Sequence, residues 1–177
     1  KILNSTLMGC DSNINSPGMY NFEDSYIDNE GYVYILGFIK STNSNIVDFP
    51  ITANAYQKSI KGSTDAFITK FNPDLSGLVF STFLGGTEYE RLGGFYVDNN
   101  KNISIVGDTR SLDFPITTNA YQKIFNADDF SGFISQLDSN GEKLNFSTFF
   151  GITGNGSTSC MRIKIDSKGC PYIIGAT

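Results

Sequence analysis

Asp48-Phe49-Pro50-Ile51-Thr52-Ala53-Asn54-Ala55-Tyr56-Gln57-Lys58 is followed 65 residues later by Asp113-Phe114-Pro115-Ile116-Thr117-Thr118-Asn119-Ala120-Tyr121-Gln122-Lys123, with 10 of 11 positions identical. Two stretches so alike in one chain mark an internal repeat, and a repeat constrains the whole architecture. Further along, Phe80-Ser81-Thr82-Phe83-Leu84-Gly85 returns as Phe146-Ser147-Thr148-Phe149-Phe150-Gly151 at an offset of 66. Asn4-Ser5-Thr6-Leu7-Met8-Gly9 is a weaker third copy. A hairpin pattern occurs three times: Asp28 to Gly31 before Tyr32-Val33-Tyr34-Ile35-Leu36-Gly37, Asp98 to Asn102 before Ile103-Ser104-Ile105-Val106-Gly107, and Asp166 to Gly169 before Cys170-Pro171-Tyr172-Ile173-Ile174-Gly175.

Each unit holds four short strand signals, rich in β-branched and aromatic residues and bounded by Gly, Asn, Asp or Pro. In the second unit they are strand A (Gly94 to Asp98), B (Ile103 to Asp108), C (Gly132 to Leu137) and D (Leu144 to Phe150). Four meandering strands per repeat predict a β-propeller blade, whereas a solenoid has a shorter period and fewer strands per unit. The chain reads as an all-β propeller segment of four-stranded antiparallel blades, two complete and two partial. Residues 1–10 give the last strand of a preceding blade, 19–86 and 93–151 the two blades, and 160–177 the first two strands of another. Closure takes roughly four to eight blades. The remaining ones are expected from the same longer chain, or else from neighbouring copies.

The motif set Tyr-X-X-Gly, Asp-Phe-Pro, Ala-Tyr-Gln, Asp65-Ala66-Phe67-Ile68-Thr69-Lys70 and Phe80-Ser81-Thr82-Phe83-Leu84-Gly85-Gly86, in this order, resembles the SBBP β-propeller repeat. The resemblance covers nearly the whole chain. It implies a propeller from a large secreted or cell-surface protein of bacteria or archaea, and no particular catalytic residue. Departures are Gly151-Ile152 and Gly9-Cys10 for the paired glycines, and Ser131-Gly132-Phe133 for Asp-Ala-Phe.

Composition narrows the chemistry. The 177 residues contain no His, which removes Ser-His-Asp triads, Cys-His dyads and His-ligated zinc. Thirteen Lys+Arg against 18 Asp+Glu leave a net charge of −5, which argues against a nucleic-acid partner. No apolar run reaches the roughly 18 residues of a membrane-spanning helix. The resemblance implies an extracellular or cell-surface location. The three cysteines, Cys10, Cys160 and Cys170, make no disulfide framework and read as free thiols, with Cys170 facing Ile165 in the last hairpin.

Strand parity locates the binding face. Antiparallel neighbours place A–B and C–D turns at one end of a sheet and B–C and D–A connections at the other. Asn29, Asn100 and Ser167 mark the short-turn end. The long-loop end is the candidate binding face, with Tyr56, Gln57, Glu88, Tyr89, Arg91, Tyr121 and Gln122. Asp-Phe-Pro reads as a packing device in which Thr52 and Thr117 cap a short helical turn. Asp28, Asp98 and Asp166 read as turn residues bonding the backbone two positions on.

Asp11, Asn13 and Asn15 have the oxygen spacing of half a calcium loop, with Ser at the sixth position where glycine is needed, so no cofactor is expected beyond that weak calcium candidate. Glu88, Glu90, Asp128 and Asp129 read as solvated loop charges. The function expected is a non-enzymatic structural or protein-interaction module. The alternatives are a carbohydrate-binding or carbohydrate-cleaving propeller using Glu88, Glu90 or Asp129, and a self-assembling subunit of a surface ring or filament. The partner is accordingly a protein or a glycan.

Overall fold

A computed structural model describes residues 19–41, 49–151 and 156–177, with side chains from Asn21 onward. The strand expected within residues 1–10, Cys10 and the calcium candidates Asp11, Asn13 and Asn15 lie outside the described residues. So does Asp48. The described residues form strands, turns and connections, with no helix.

Ten strands occur among them: β1 (Met19–Ile27), β2 (Val33–Lys40), β3 (Thr64–Phe71), β4 (Leu78–Leu84), β5 (Glu90–Val97), β6 (Ile103–Thr109), β7 (Ser131–Leu137), β8 (Leu144–Phe150), β9 (Ser159–Ile165) and β10 (Pro171–Ala176). They pair antiparallel in chain order as two four-stranded sheets, β1–β4 and β5–β8, and one two-stranded sheet, β9–β10. Strand D of the second unit, Leu144–Phe150, falls where the sequence places it. Strand A begins at Glu90, four residues before the expected Gly94. The reason is a bulge, which hides the early half of the strand from a search for strict alternation.

That bulge recurs. Register slips at Glu23 in β1, Gly93 in β5 and Met161 in β9, beside the pairs Phe22–Gly37, Leu92–Gly107 and Cys160–Gly175. At the first two bulges a glycine is required on the facing strand because a ring lies on it. A β-carbon at Gly37 would stand 2.6 Å from Phe67 Cζ, and one at Gly107 would stand 2.9 Å from Phe133.

Alternation then distributes the core. Tyr34, Leu36, Ala66, Ile68, Phe80 and Leu84 of the first sheet pack on Leu92, Phe95, Ile103, Ile105, Phe133, Leu137 and Phe149 of the second. The opposite face of the first sheet gathers Ile39, Phe67 and Phe83 under Phe49 of its own β2–β3 connection. The opposite face of the second sheet gathers Val106 with Cys160 and Ile163 of the third. Rings pack closely, with Phe49–Phe67 centroids at 4.8 Å and Phe114–Phe133 at 4.4 Å.

The short turns follow the sequence reading. Asp28 Oδ1 accepts the amides of Glu30 and Tyr32, Asp98 Oδ1 those of Asn100 and Asn102, and Asp166 Oδ1 those of Lys168 and Cys170. Three expectations need correction. Thr52 and Thr117 cap no helix: their hydroxyls donate to the carbonyls of Ser81 and Ser147, at 3.1 Å each, and pin the connection onto β4 and β8. Ile165 pairs with Pro171, not Cys170, because the Asp166 amide bonds the Cys170 carbonyl and closes the turn one residue earlier. Glu90 is no loop residue; it opens β5 and is buried.

Gly107→Ala is expected to lower unfolding free energy by about 2–3 kcal/mol, since the methyl meets Phe133 and the backbone of β5. Gly77→Ala, whose methyl would meet only Asn72 at 3.7 Å, serves as the control and should change it by under ~0.5 kcal/mol. Denaturant unfolding of both variants checks the difference.

Candidate functional site

The long-loop end of the second sheet gathers residues from two connections, β4–β5 and β6–β7. Tyr89 precedes β5, Arg91 follows its first residue, Arg110 follows β6, and Asp129 and Phe130 precede β7. The Arg110 amide donates to the Tyr89 carbonyl at 2.9 Å, which ties the two connections together. Phe130 is the centre. The Arg110 guanidinium lies 4.3 Å and the Arg91 guanidinium 5.4 Å from its ring centroid, and Tyr89 meets it edge-on at 6.1 Å. Such cation–π contacts are worth roughly 0.5–1 kcal/mol each at exposed positions.

The two arginines are neutralised differently. Arg110 forms a fork on the exposed Asp129, with Nε to Oδ1 at 2.8 Å and Nη2 to Oδ2 at 3.0 Å. Arg91 is half exposed and ion-pairs at 2.8 Å with Asp108 Oδ2, a buried oxygen that lies off the hydrogen-bonding direction. Ser159 donates to the other oxygen, Asp108 Oδ1, at 3.0 Å. Burial pushes the Asp108 carboxyl above its ordinary range, against the pull of Arg91 and Ser159.

Beneath this surface lies a sealed carboxylate pair at the junction of the first two sheets. Glu90 Oε1 accepts the hydroxyls of Thr109 at 2.7 Å and Ser111 at 2.6 Å, and Oε2 accepts the Gly86 amide at 3.2 Å. Asp65 accepts Gln57 Nε2 at 2.6 Å and the amides of Lys61 and Gly62 at 3.0 Å each. Both carboxyls crowd Gly85, where a β-carbon would stand 2.5 Å from Glu90 Oε2 and 2.6 Å from Asp65 Cγ. Among the described residues, the donors to both carboxyls are neutral amides and hydroxyls. Burial raises both pKa values, that of Glu90 to about 7, with the Asp65 charge adding to the shift.

The expected binding residues separate into groups. Tyr89 and Arg91 come together at the exposed cluster, and Glu88 lies beside them, its amide held by Ser111 Oγ at 2.9 Å. Gln57 is buried and structural, its Oε1 accepting the Gly85 amide at 3.1 Å. Gln122 repeats that strap on the Gly151 amide at 3.2 Å. Tyr56 departs from the expected face. It is half-buried between the sheets, and its amide donates to the Gly141 carbonyl, in the β7–β8 turn at the opposite end of the second sheet, at 2.8 Å. Tyr121 is 84% exposed.

Arg110 and Phe130 were not singled out from the sequence. Their signal is positional: each directly flanks a strand at the end where Tyr89 and Arg91 emerge. Of the acids of the carbohydrate-cleaving alternative, Glu90 is buried and hydrogen-bonded, Asp129 is paired with Arg110, and Glu88 is exposed. Among the described residues, no group of three or more Cys, Asp or Glu side chains is placed to hold a metal. No protein-family model matches the chain. No curated protein matches it significantly either.

Two outcomes follow from these environments. A carboxyl whose folded pKa is raised contributes stability that is full below its unfolded value and is lost as pH rises through the folded one. For Glu90 the window runs from 4.5 to about 7 and amounts to something on the order of 3 kcal/mol. The lowered carboxyls of Asp28, Asp113 and Asp166 act below 3.8 and leave that window alone. Thermal unfolding across pH 4.5–7 should therefore show a fall in the parent protein that is smaller in Glu90→Gln, the remaining fall coming from the raised carboxyls of Asp65 and Asp108. At fixed pH 7, Arg91→Ala should destabilise by about 1–3 kcal/mol by stranding the buried Asp108, while Arg110→Ala should cost under ~1 kcal/mol.

Proposed function

We propose that each four-stranded sheet is one blade of a β-propeller, and that the chain belongs to a non-enzymatic extracellular or cell-surface module acting through structural and protein contacts. The observation that carries this reading is the position of β1, β5 and β9. The first strand of every sheet borders one common polar cleft of about 530 Å³, lined by Asp24, Asp28, Glu30, Asp98, Lys101 and Lys164 among others. Sheets that share a cleft along their first strands are arranged as blades are around a central channel. Face-to-face packing of successive sheets supports it too. The remaining blades come from the same longer chain or from neighbouring copies.

The contact surface is the cluster of Tyr89, Arg91, Arg110 and Phe130, both arginines exposed and both rings half-buried. Tyrosine and arginine on a rigid support are the residues that dominate protein interfaces. Two connections, anchored directly at strand ends, hold them in place, so little side-chain freedom is lost on binding.

Labelled protein applied to intact cells of its source tests the reading. Binding should saturate, survive periodate oxidation of surface glycans, and weaken about tenfold or more in Tyr89→Ala/Arg110→Ala, with a melting temperature unchanged within ~2 °C. Loss of binding after periodate would transfer the reading to carbohydrate recognition. Equal binding by the double variant would leave these loops as connectors.

A further inference from the structure

The first two sheets meet at a seam whose chemistry can be compared, residue by residue, with the far face of the second sheet. At the seam, Phe80, Ile68 and Leu84 are 2%, 0% and 0% exposed, and Tyr56 is half-buried beside them. The repeat places Phe146, Ile134, Phe150 and Tyr121 at the same positions one sheet later. There Phe150 is 38% and Tyr121 84% exposed, while Ile134 and Phe146 are only partly covered. Together with Ile163, Ile165 and Pro171 they line an apolar cavity of about 430 Å³. The third sheet, with its two strands, covers only part of this face.

What covers the equivalent face in this molecule is known. The β7–β8 turn puts Gly141 against Phe80, where a β-carbon would stand 2.7 Å from Cε2 of the ring. Gly141 is in the left-handed region at φ 68°, and its carbonyl accepts the Tyr56 amide at 2.8 Å. The corresponding β3–β4 turn carries Leu75 in that left-handed place, at φ 59°. The two hairpins of this chain therefore differ at the one position that must lie flat on a phenylalanine.

We infer that the open face of the second sheet is the docking surface for a β-hairpin of the β7–β8 kind, added to the free edge of β10, with glycine at the left-handed position of its turn. That glycine lies on Phe146 and its carbonyl accepts the Tyr121 amide. Antiparallel addition to β10 continues the interface already begun by β9, whose Cys160 and Ile163 pack on Val106. The assignment rests on the blade reading above, and it adds which hairpin the seam accepts and why.

The test extends the chain past Thr177 with a second copy of residues 110–151, so that the hairpin is delivered within the same molecule. Thr177 corresponds to Thr109 in the repeat, so the copied segment begins where the β6–β7 connection begins. A matched extension carries leucine in place of the copied glycine, Gly141→Leu. The glycine form should raise the melting temperature by ~5 °C or more over the leucine form. It should also slow amide exchange at Tyr121 and along Pro171–Ala176 by at least about tenfold. Equal melting and exchange in the two extensions would overturn the assignment, because the face would then take any apolar cover. Unprotected Tyr121 in the glycine form would overturn it as well. The outcome is separable from the cell-binding experiment, since the seam reads the same whether or not Tyr89 and Arg110 contact a partner.

Discussion

Every residue of β3 and β6 is buried, so neither strand has a side it can turn to water. Apolar alternation on both faces obliges each sheet to be covered twice, and the rest of the arrangement answers that demand. One face of the first sheet takes the second sheet, and the other takes the Phe49 segment of its own connection. A phenylalanine laid on a glycine of the neighbouring strand lets this happen without spreading the backbones: Phe67 on Gly37, Phe133 on Gly107. The facing bulges bend the first strand of each sheet around the same spot. Hydroxyls on the covered faces pair across strands, Thr69 with Ser81 at 2.9 Å and Ser135 with Ser147 at 2.8 Å.

The ends of the sheets divide the remaining work. At the short-turn end, aspartates close the turns by accepting two amides each, and one residue links neighbouring sheets. Lys101 occupies, at φ 66°, the left-handed place that Gly31 and Gly169 fill in the sister turns. Its ammonium reaches Asp28 at 3.0 Å and Glu30 at 3.1 Å on the first sheet. A side chain in a strained turn is tolerated there because it gains a pair of carboxylates. Their hydrogen bond and charge raise the lysine pKa, and the same contact helps hold Asp28 below the usual range.

Much of this was legible in the repeat. Identical pentads and the three Asp-led hairpins located four strands per unit, and β8 and the turn aspartates stand where those signals put them. The parity argument also placed Tyr89 and Arg91 at one end and Asn29, Asn100 and Ser167 at the other. It failed for Tyr56 because a long connection need not stay at the end where it starts: this one runs back along β4, pinned by Thr52 to Ser81. Glu90 was illegible for a different reason. A carboxylate next to Tyr and Arg reads as surface charge unless its acceptor sites are already filled, and Thr109 and Ser111 are remote enough in sequence to hide that.

The two seams show which features the architecture requires and which it merely permits. Around Gly85 the first seam encloses Asp65 and Glu90; around Gly151 the matching positions are Ser131 and Thr158, whose hydroxyl oxygen would stand 2.8 Å from a Gly151 β-carbon. The glutamine strap onto the glycine amide is the same in both, Gln57 on Gly85 and Gln122 on Gly151. Packing therefore needs the strap and the glycine but not the acids. Burying two carboxyls among neutral donors opposes folding as pH rises, and hydroxyls fill the same space without that penalty. An acid pair retained against such a cost, directly under the Tyr89–Arg91 connection, makes the stability of that connection depend on pH.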